Sequence, residues 1–254
     1  KKETIYYPSI DSLRLEDNQE DPYLLFTIKD QEGQVVRNIK SAGSKGIQKI
    51  IWDFRYPTPA PVEGRYVPAP DQLFGEEELG HLAMPGTYTV SLSKYEDGTF
   101  TELVGPTSFN CKLLNNSSIP RDMNANVAFC KKVAKLRKAT SAAGDLLGSM
   151  DSRLKNIEKA SHDMLASPQS IISKISKLKK EYQAINLKLN GDVTLARREF
   201  ESLPSIDGKV GIIEGSIWNT TSPITKTNLR VYDQVSKEFS SVLSDMKKLN
   251  KSID

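Results

Sequence analysis

Two rhythms divide the chain. Through about residue 114, apolar side chains come in short, alternating runs; from residue 120 onward they return every three or four positions. Residues 23–29 (YLLFTIK) are rich in β-formers and run straight into the turn residues Asp30-Gln31-Glu32-Gly33. Residues 34–39 (QVVRNI) therefore predict the second strand of a hairpin. Residues 41–46 (SAGSKG) read as a loop, and residues 47–54 (IQKIIWDF) as a strong strand anchored by Ile47, Ile50 and Trp52. In residues 86–95 (GTYTVSLSKY) Tyr88, Val90 and Leu92 fall on one face, and Thr87, Thr89 and Ser91 on the other. Asp97-Gly98 is a hairpin signal, and residues 100–104 and 107–114 follow as two further strands. Short strands at this spacing predict a β-sandwich over residues 1–117.

One stretch interrupts that rhythm. Residues 57–85 hold Pro57, Pro59, Pro61, Pro68 and Pro70, then Glu76-Glu77-Glu78. Proline lacks the amide proton a central strand needs, so this is an insertion on the surface. Its reading is a packed loop, or a contact loop in which Tyr56, Tyr66 and Phe74 present aromatic faces to a ligand or partner.

The second rhythm is helical. Pro120 opens a pattern through Met123, Val127, Cys130, Ala134, Ala143, Leu147, Met150, Leu154 and Ile157, which predicts one helix to about residue 165. Ser167-Pro168 stops it and caps the next, whose stripe is Ile171, Ile175, Leu178, Tyr182, Ile185 and Leu189, ending at Asn190-Gly191. A short helix is expected over 192–201. A further helical stretch over 205–218 is weakened by Gly208, Gly211 and Gly215. The last helix opens at Ser222-Pro223 and carries Tyr232, Val235, Phe239, Val242, Met246 and Leu249. Each long helix has one apolar stripe, so residues 118–254 are expected to form an antiparallel α-helical bundle.

Charge follows the same division. The chain has 254 residues and a net charge of +3, but residues 1–120 carry 12 basic and 17 acidic side chains, against 23 and 15 in the remainder. The basic half invites a nucleic-acid reading through Lys131, Lys132, Lys135, Arg137 and Lys138, and through Lys174, Lys177, Lys179 and Lys180. Aromatic side chains are not interleaved with them, so a solvated face is the better reading and no nucleic-acid partner is expected. No run of 18 apolar residues exists, so no transmembrane segment is expected. The start at Lys1, without an initiator Met or an apolar leader, reads as a processed or excised chain.

Chemistry is sparse. Phosphate-cradling glycine loops, nucleophile elbows and zinc-protease motifs are all missing from the sequence. His81 and His162 read as solvated, and Ser161 and Asp163 point away from His162 on a helix. Asp53 reads as a turn cap, and the three glutamates as solvated. Cys111 and Cys130 read as two half-buried thiols, although the sequence alone also permits a disulfide between them. No catalytic residue, metal site or cofactor is expected. Asn-x-Ser/Thr sites occur at Asn115, Asn116, Asn219 and Asn250.

A resemblance adds to this. "GQVVRNIKSAGSKGIQKIIWDFRYPTP" followed by "AMPGTYTVSL" resembles an Ig-like repeat of the flagellar hook-capping type, which implies that the sandwich is Ig-like or fibronectin-type. With the tail "DVTLARREFESLPSIDGKVGIIEGSIW" and "SPITKTNLRVYDQVSKEF", it resembles the C-terminal region of large secreted bacterial proteins, common in Bacteroidetes, that carry an upstream sortilin-like or BNR-repeat β-propeller and are often labelled glycosyl hydrolases. The resemblance implies a non-catalytic accessory region that packs on that β-propeller, dimerises through its helices or contacts a partner. The location implied is secreted, periplasmic or outer-membrane surface. The alternative is a carbohydrate-binding module using Tyr56, Tyr66 and Phe74. A third reading places glycoside hydrolysis in the parent protein, with catalysis upstream.

Overall fold

The computed structural model describes residues 7–59, 80–114, 121–163 and 169–253. They fall into two units: residues 7–56 with 83–114, and residues 57–59 and 80–82 with the helices that follow. Residues 57–59 and 80–82, at the edges of the proline-rich stretch, thus group with the helices, and residues 83–85 with the strands.

The first unit opens with a helix that the periodicity did not announce, α1 (Ile10–Asp17). Ser9 caps it, its Oγ accepting from the Ser12 N–H at 3.2 Å, and none of its residues is buried. A four-stranded antiparallel sheet follows, in the order β2-β1-β3-β4: β1 (Tyr23–Lys29), β2 (Val35–Ala42), β3 (Gly86–Glu96) and β4 (Thr99–Cys111). The β1–β2 turn is held by Asp30, whose Oδ1 accepts from the N–H groups of Glu32 and Gln34 at 3.1 and 2.8 Å. Asp97 and Gly98 both take positive φ, 48° and 77°, which the two-residue turn between β3 and β4 requires. The two strands expected over 100–104 and 107–114 are one strand, β4. Its register slips twice opposite Val90–Ser93, and as an edge strand it accommodates Pro106.

Residues 47–54 are not a strand. Ile47 and Ile51 are exposed, so their β-branched content serves no sheet. Trp52 alone of the expected anchors joins the main core contacts: its indole N–H donates to the Arg55 carbonyl at 3.1 Å, and Phe54 turns the chain at φ 57°. The core of this unit is Ile28, Val36, Ala83 and Tyr88, with Trp52, Tyr56, Val90 and Phe109 packed on it. Trp52 meets Tyr88 and Phe109 at ring separations of 5.2 and 6.0 Å, and the Tyr88 hydroxyl donates to the Met84 carbonyl at 2.6 Å. The described strands make one sheet; a sandwich requires a second.

The second unit contains α2 (Met123–Asp163), α3 (Gln169–Asn190), the single turn α4 (Val193–Ala196), α5 (Ile206–Ile217) and α6 (Lys226–Ile253). The four longer helices pack on one another. Their shared core includes Leu147, Met150, Leu154, Leu189, Val210, Val235, Met246 and Leu249, all at most 1% exposed. The stripes of α3 and α6 fall where the spacing put them, except that Ile171 stays partly exposed. In α2 the expected stripe is right from Ala143 to Leu154, but Ile157 is exposed. Before Ala143, the buried face runs through Asn126, Phe129, the expected Cys130, Val133, Leu136 and Thr140, not through Val127 and Ala134.

Caps explain the helix boundaries. Ser205 caps α5, its Oγ accepting from the Gly208 N–H at 3.1 Å, so that helix forms despite its three glycines. Asp192 caps α4, which ends at Ala196 and is shorter than expected. Helix α6 begins at Lys226, after Thr225, whose Oγ1 accepts from the Asn228 N–H at 3.1 Å. Ser222, expected to cap that helix, precedes its first residue by four positions, and its carbonyl accepts from buried Asn126 Nδ2 at 2.9 Å. The expected cap Ser167-Pro168 lies outside the described residues.

Candidate functional site

The densest polar site in the helical unit is built by α2 and α5. Arg137 follows buried Leu136 on α2 and leaves the core stripe towards α5. On α5, Asp207 and Glu214 stand seven residues apart, two turns, and so share one face. Arg137 donates from Nε and Nη2 to Glu214 Oε2 at 2.7 and 2.5 Å, and from Nη1 to Asp207 Oδ1 at 2.5 Å. Gly211 lies between the two acids on α5, and a Cβ there would stand 3.3 Å from Arg137 Nη2. Glycine lets the guanidinium lie close over the helix. Burial works against the Arg137 charge, but the bonds and charges of Glu214 and Asp207 outweigh it and hold its pKa above the ordinary value. The side chains of Arg137, Glu214 and Asp207 are 19%, 13% and 47% exposed, so the pair joined by two hydrogen bonds, Arg137 and Glu214, is the more buried. A cavity of about 380 Å³ opens beside this cluster, and Thr58, Pro59, Ser141 and Trp218 also line it.

A second polar cluster joins α5 to α6. Lys209 Nζ donates to both oxygens of Glu238, at 2.9 and 2.7 Å. The bond to Lys209, and then that to Gln234, hold the Glu238 carboxyl below its usual range. Lys188, Ser205 and Val242 line the cavity of about 310 Å³ around it. Lys179 pairs with Glu158 and so links α3 to α2.

The residues singled out in the sequence are scattered. Tyr56 is half-buried against the sheet core, with its hydroxyl pKa raised by burial and then by Asp30 and Glu32. Tyr66, Phe74 and Glu76–Glu78 lie outside the described residues. Asp53 is a turn cap, its Oδ1 accepting from the Arg55 N–H at 3.0 Å.

His81 departs from expectation. It is not solvated but 4% exposed, and burial, the largest cause, lowers its pKa. Its Nδ1 sits 3.0 Å from the Leu82 carbonyl, which only accepts, so that nitrogen carries the proton. His162 is exposed and neighbouring Ser161 buried, with the Ser161 Oγ donating to the Glu158 carbonyl at 2.6 Å, so the two do not face one another. Both cysteines are free: Cys111 packs on the sheet core, and Cys130 lies in the cluster of Phe129, Val133, Ile213 and Ile217. Burial raises both thiol pKa values, that of Cys130 to about 11.

The basic runs divide by role. Arg137 and Lys179 turn to carboxylates, while Lys132, Lys135, Lys138, Lys174, Lys177 and Lys180 are exposed. Among the described residues, no group of three or more His, Cys, Asp or Glu could hold a metal ion, and no helix is long and apolar enough to cross a membrane. The sequence reading missed the Arg137 cluster. The available signal was the seven-residue step from Asp207 to Glu214, with a glycine between them. Protein-family models, curated proteins and solved structures were compared with the chain, and none matches.

Proposed function

We propose that the chain is a non-catalytic accessory region of a larger secreted protein, whose sheet and helices pack on an upstream β-propeller, pair with a second copy or contact a partner. In this reading the sheet belongs to an Ig-like sandwich and the helices to an antiparallel bundle. The observation that carries it is where the helical unit uses its charges. Arg137 bonds Asp207 and Glu214, Lys209 bonds Glu238, and Lys179 bonds Glu158, each time between two helices. Charges bound in this way stiffen a scaffold, whereas general acid–base work needs a group able to exchange its proton with a substrate. Burial acts in the same sense on other groups: it lowers the His81 pKa and so favours the neutral ring, and it raises both thiols and so favours the protonated form.

The coding region upstream of Lys1 tests the reading: a β-propeller in the same frame supports it, and an unrelated domain overturns it. The purified chain is expected to leave a panel of chromogenic glycosides intact. Hydrolysis that survives repurification would place catalysis in this region and refute the accessory role.

A further inference from the structure

The cavity beside Arg137 has a composition that selects among ligands. Its volume of about 380 Å³ lies at the small end of ligand-sized sites. One guanidinium stands between two carboxylates on its wall. An incoming carboxylate or phosphate at Arg137 meets the two acids bonded to it, and an incoming ammonium at those acids meets Arg137. Like-charge contact disfavours both classes. A hydroxyl avoids this conflict, because it donates to a carboxylate oxygen and accepts from a guanidinium N–H together. Arg137 spends three N–H donors on its two acids and has five in all. Asp207 is 47% exposed and keeps a solvent-facing carboxylate. Ser141 and Thr58 add hydroxyls, and the Trp218 indole gives apolar surface for C–H groups.

From this we infer that the cavity binds a neutral, polyhydroxylated ligand of monosaccharide size. The inference is independent of the accessory role, and it places recognition on α2 and α5, not on Tyr56, Tyr66 and Phe74.

Saturation-transfer NMR on the intact chain tests it, with glucose, galactose, mannose and N-acetylglucosamine as probes and glucosamine and glucose 6-phosphate as charged controls. At least one neutral sugar is expected to receive saturation. Its Kd is expected to rise about tenfold in Asp207→Asn, which weakens a charge-assisted hydrogen bond, and by about threefold in Ser141→Ala. Asp207 and Ser141 both lie outside the buried core, so circular dichroism of each variant should match the parent. No transfer to any neutral sugar at tens of millimolar overturns the inference. So does a preference for either charged control, or an affinity unchanged in both variants.

Discussion

Glu214 Oε2 accepts two N–H groups from Arg137, Nε at 2.7 Å and Nη2 at 2.5 Å, so a single oxygen fastens α5 to α2. With side chains 13% and 19% exposed, neither group falls back on bulk water if the other is removed. Arg137→Met is therefore expected to cost about 2–3 kcal/mol in urea denaturation, at or just below the lower edge of the range of about 3–5 kcal/mol for breaking a fully buried pair, because Asp207 is half exposed. Glu214→Gln added to Arg137→Met should restore part of that loss, since it removes the stranded charge. A double variant as unstable as the sum of the singles would show that the pair contributes nothing as a pair.

How far the sequence was legible varied with the residue. The bounds of β1 and nearly those of β3 follow from the apolar alternation, because each lies inside the sheet and pairs on both sides. Residues 47–54 look equally strand-like, yet Ile47 and Ile51 face solvent, since a β-branched run becomes a strand only where a neighbouring strand offers hydrogen bonds. Before Ala143 the buried face of α2 departs from the apolar pattern except at Cys130, because Asn126 and Thr140 are buried polar residues. Asn126 bonds the Thr221 and Ser222 carbonyls and Thr140 bonds the Arg137 carbonyl, long-range or local partners that an apolar pattern does not encode. The Arg137 site was hidden for the same reason: its two acids lie 70 and 77 residues further along the chain.

His81 makes stability depend on pH. Its folded pKa lies below the ordinary value of 6.5, chiefly because burial disfavours the charged ring, with Lys131 acting the same way and the Leu82 hydrogen bond opposing. Below pH 6.5 the unfolded chain takes up a proton that the folded chain resists, so stability is full above that pH and falls as pH drops through and below it. Thermal melts at about pH 7.5 and pH 5.5 should show a lower Tm at the acid end. His81→Asn keeps a donor for the Leu82 carbonyl and removes the titration. It should narrow the difference, and an equal drop in both proteins would assign the effect to other groups.

Cys111 and Cys130 should be slow to react. The thiolate is the nucleophile, and burial holds both thiols protonated, with Cys130 up at about 11 and only 7% exposed. In a disulfide-exchange titration at neutral pH, Cys130 is expected to react only as the helical unit opens, and Cys111, half-buried, somewhat sooner. Both should react at once in denaturant and count as two free thiols. A single fast, stoichiometric reaction of Cys130 in the native protein would contradict its burial.

Three helical glycines separate intrinsic helix preference from the Arg137 contact. A Cβ at Gly148 of α2 or Gly215 of α5 meets nothing within 4 Å, whereas one at Gly211 meets Arg137 Nη2 at 3.3 Å. Gly148→Ala and Gly215→Ala should each stabilise by about 0.5–1 kcal/mol, because alanine loses less backbone entropy than glycine on entering a helix. Gly211→Ala has the same intrinsic gain, but the guanidinium is pinned by three hydrogen bonds and must shift by a few tenths of an ångström to admit the methyl group. Its urea midpoint should stay level or fall. In an Arg137→Met background the obstacle is gone, and Gly211→Ala should recover the full gain of about 0.5–1 kcal/mol. If Gly211→Ala stabilises equally in both backgrounds, Arg137 is not held over α5 in solution.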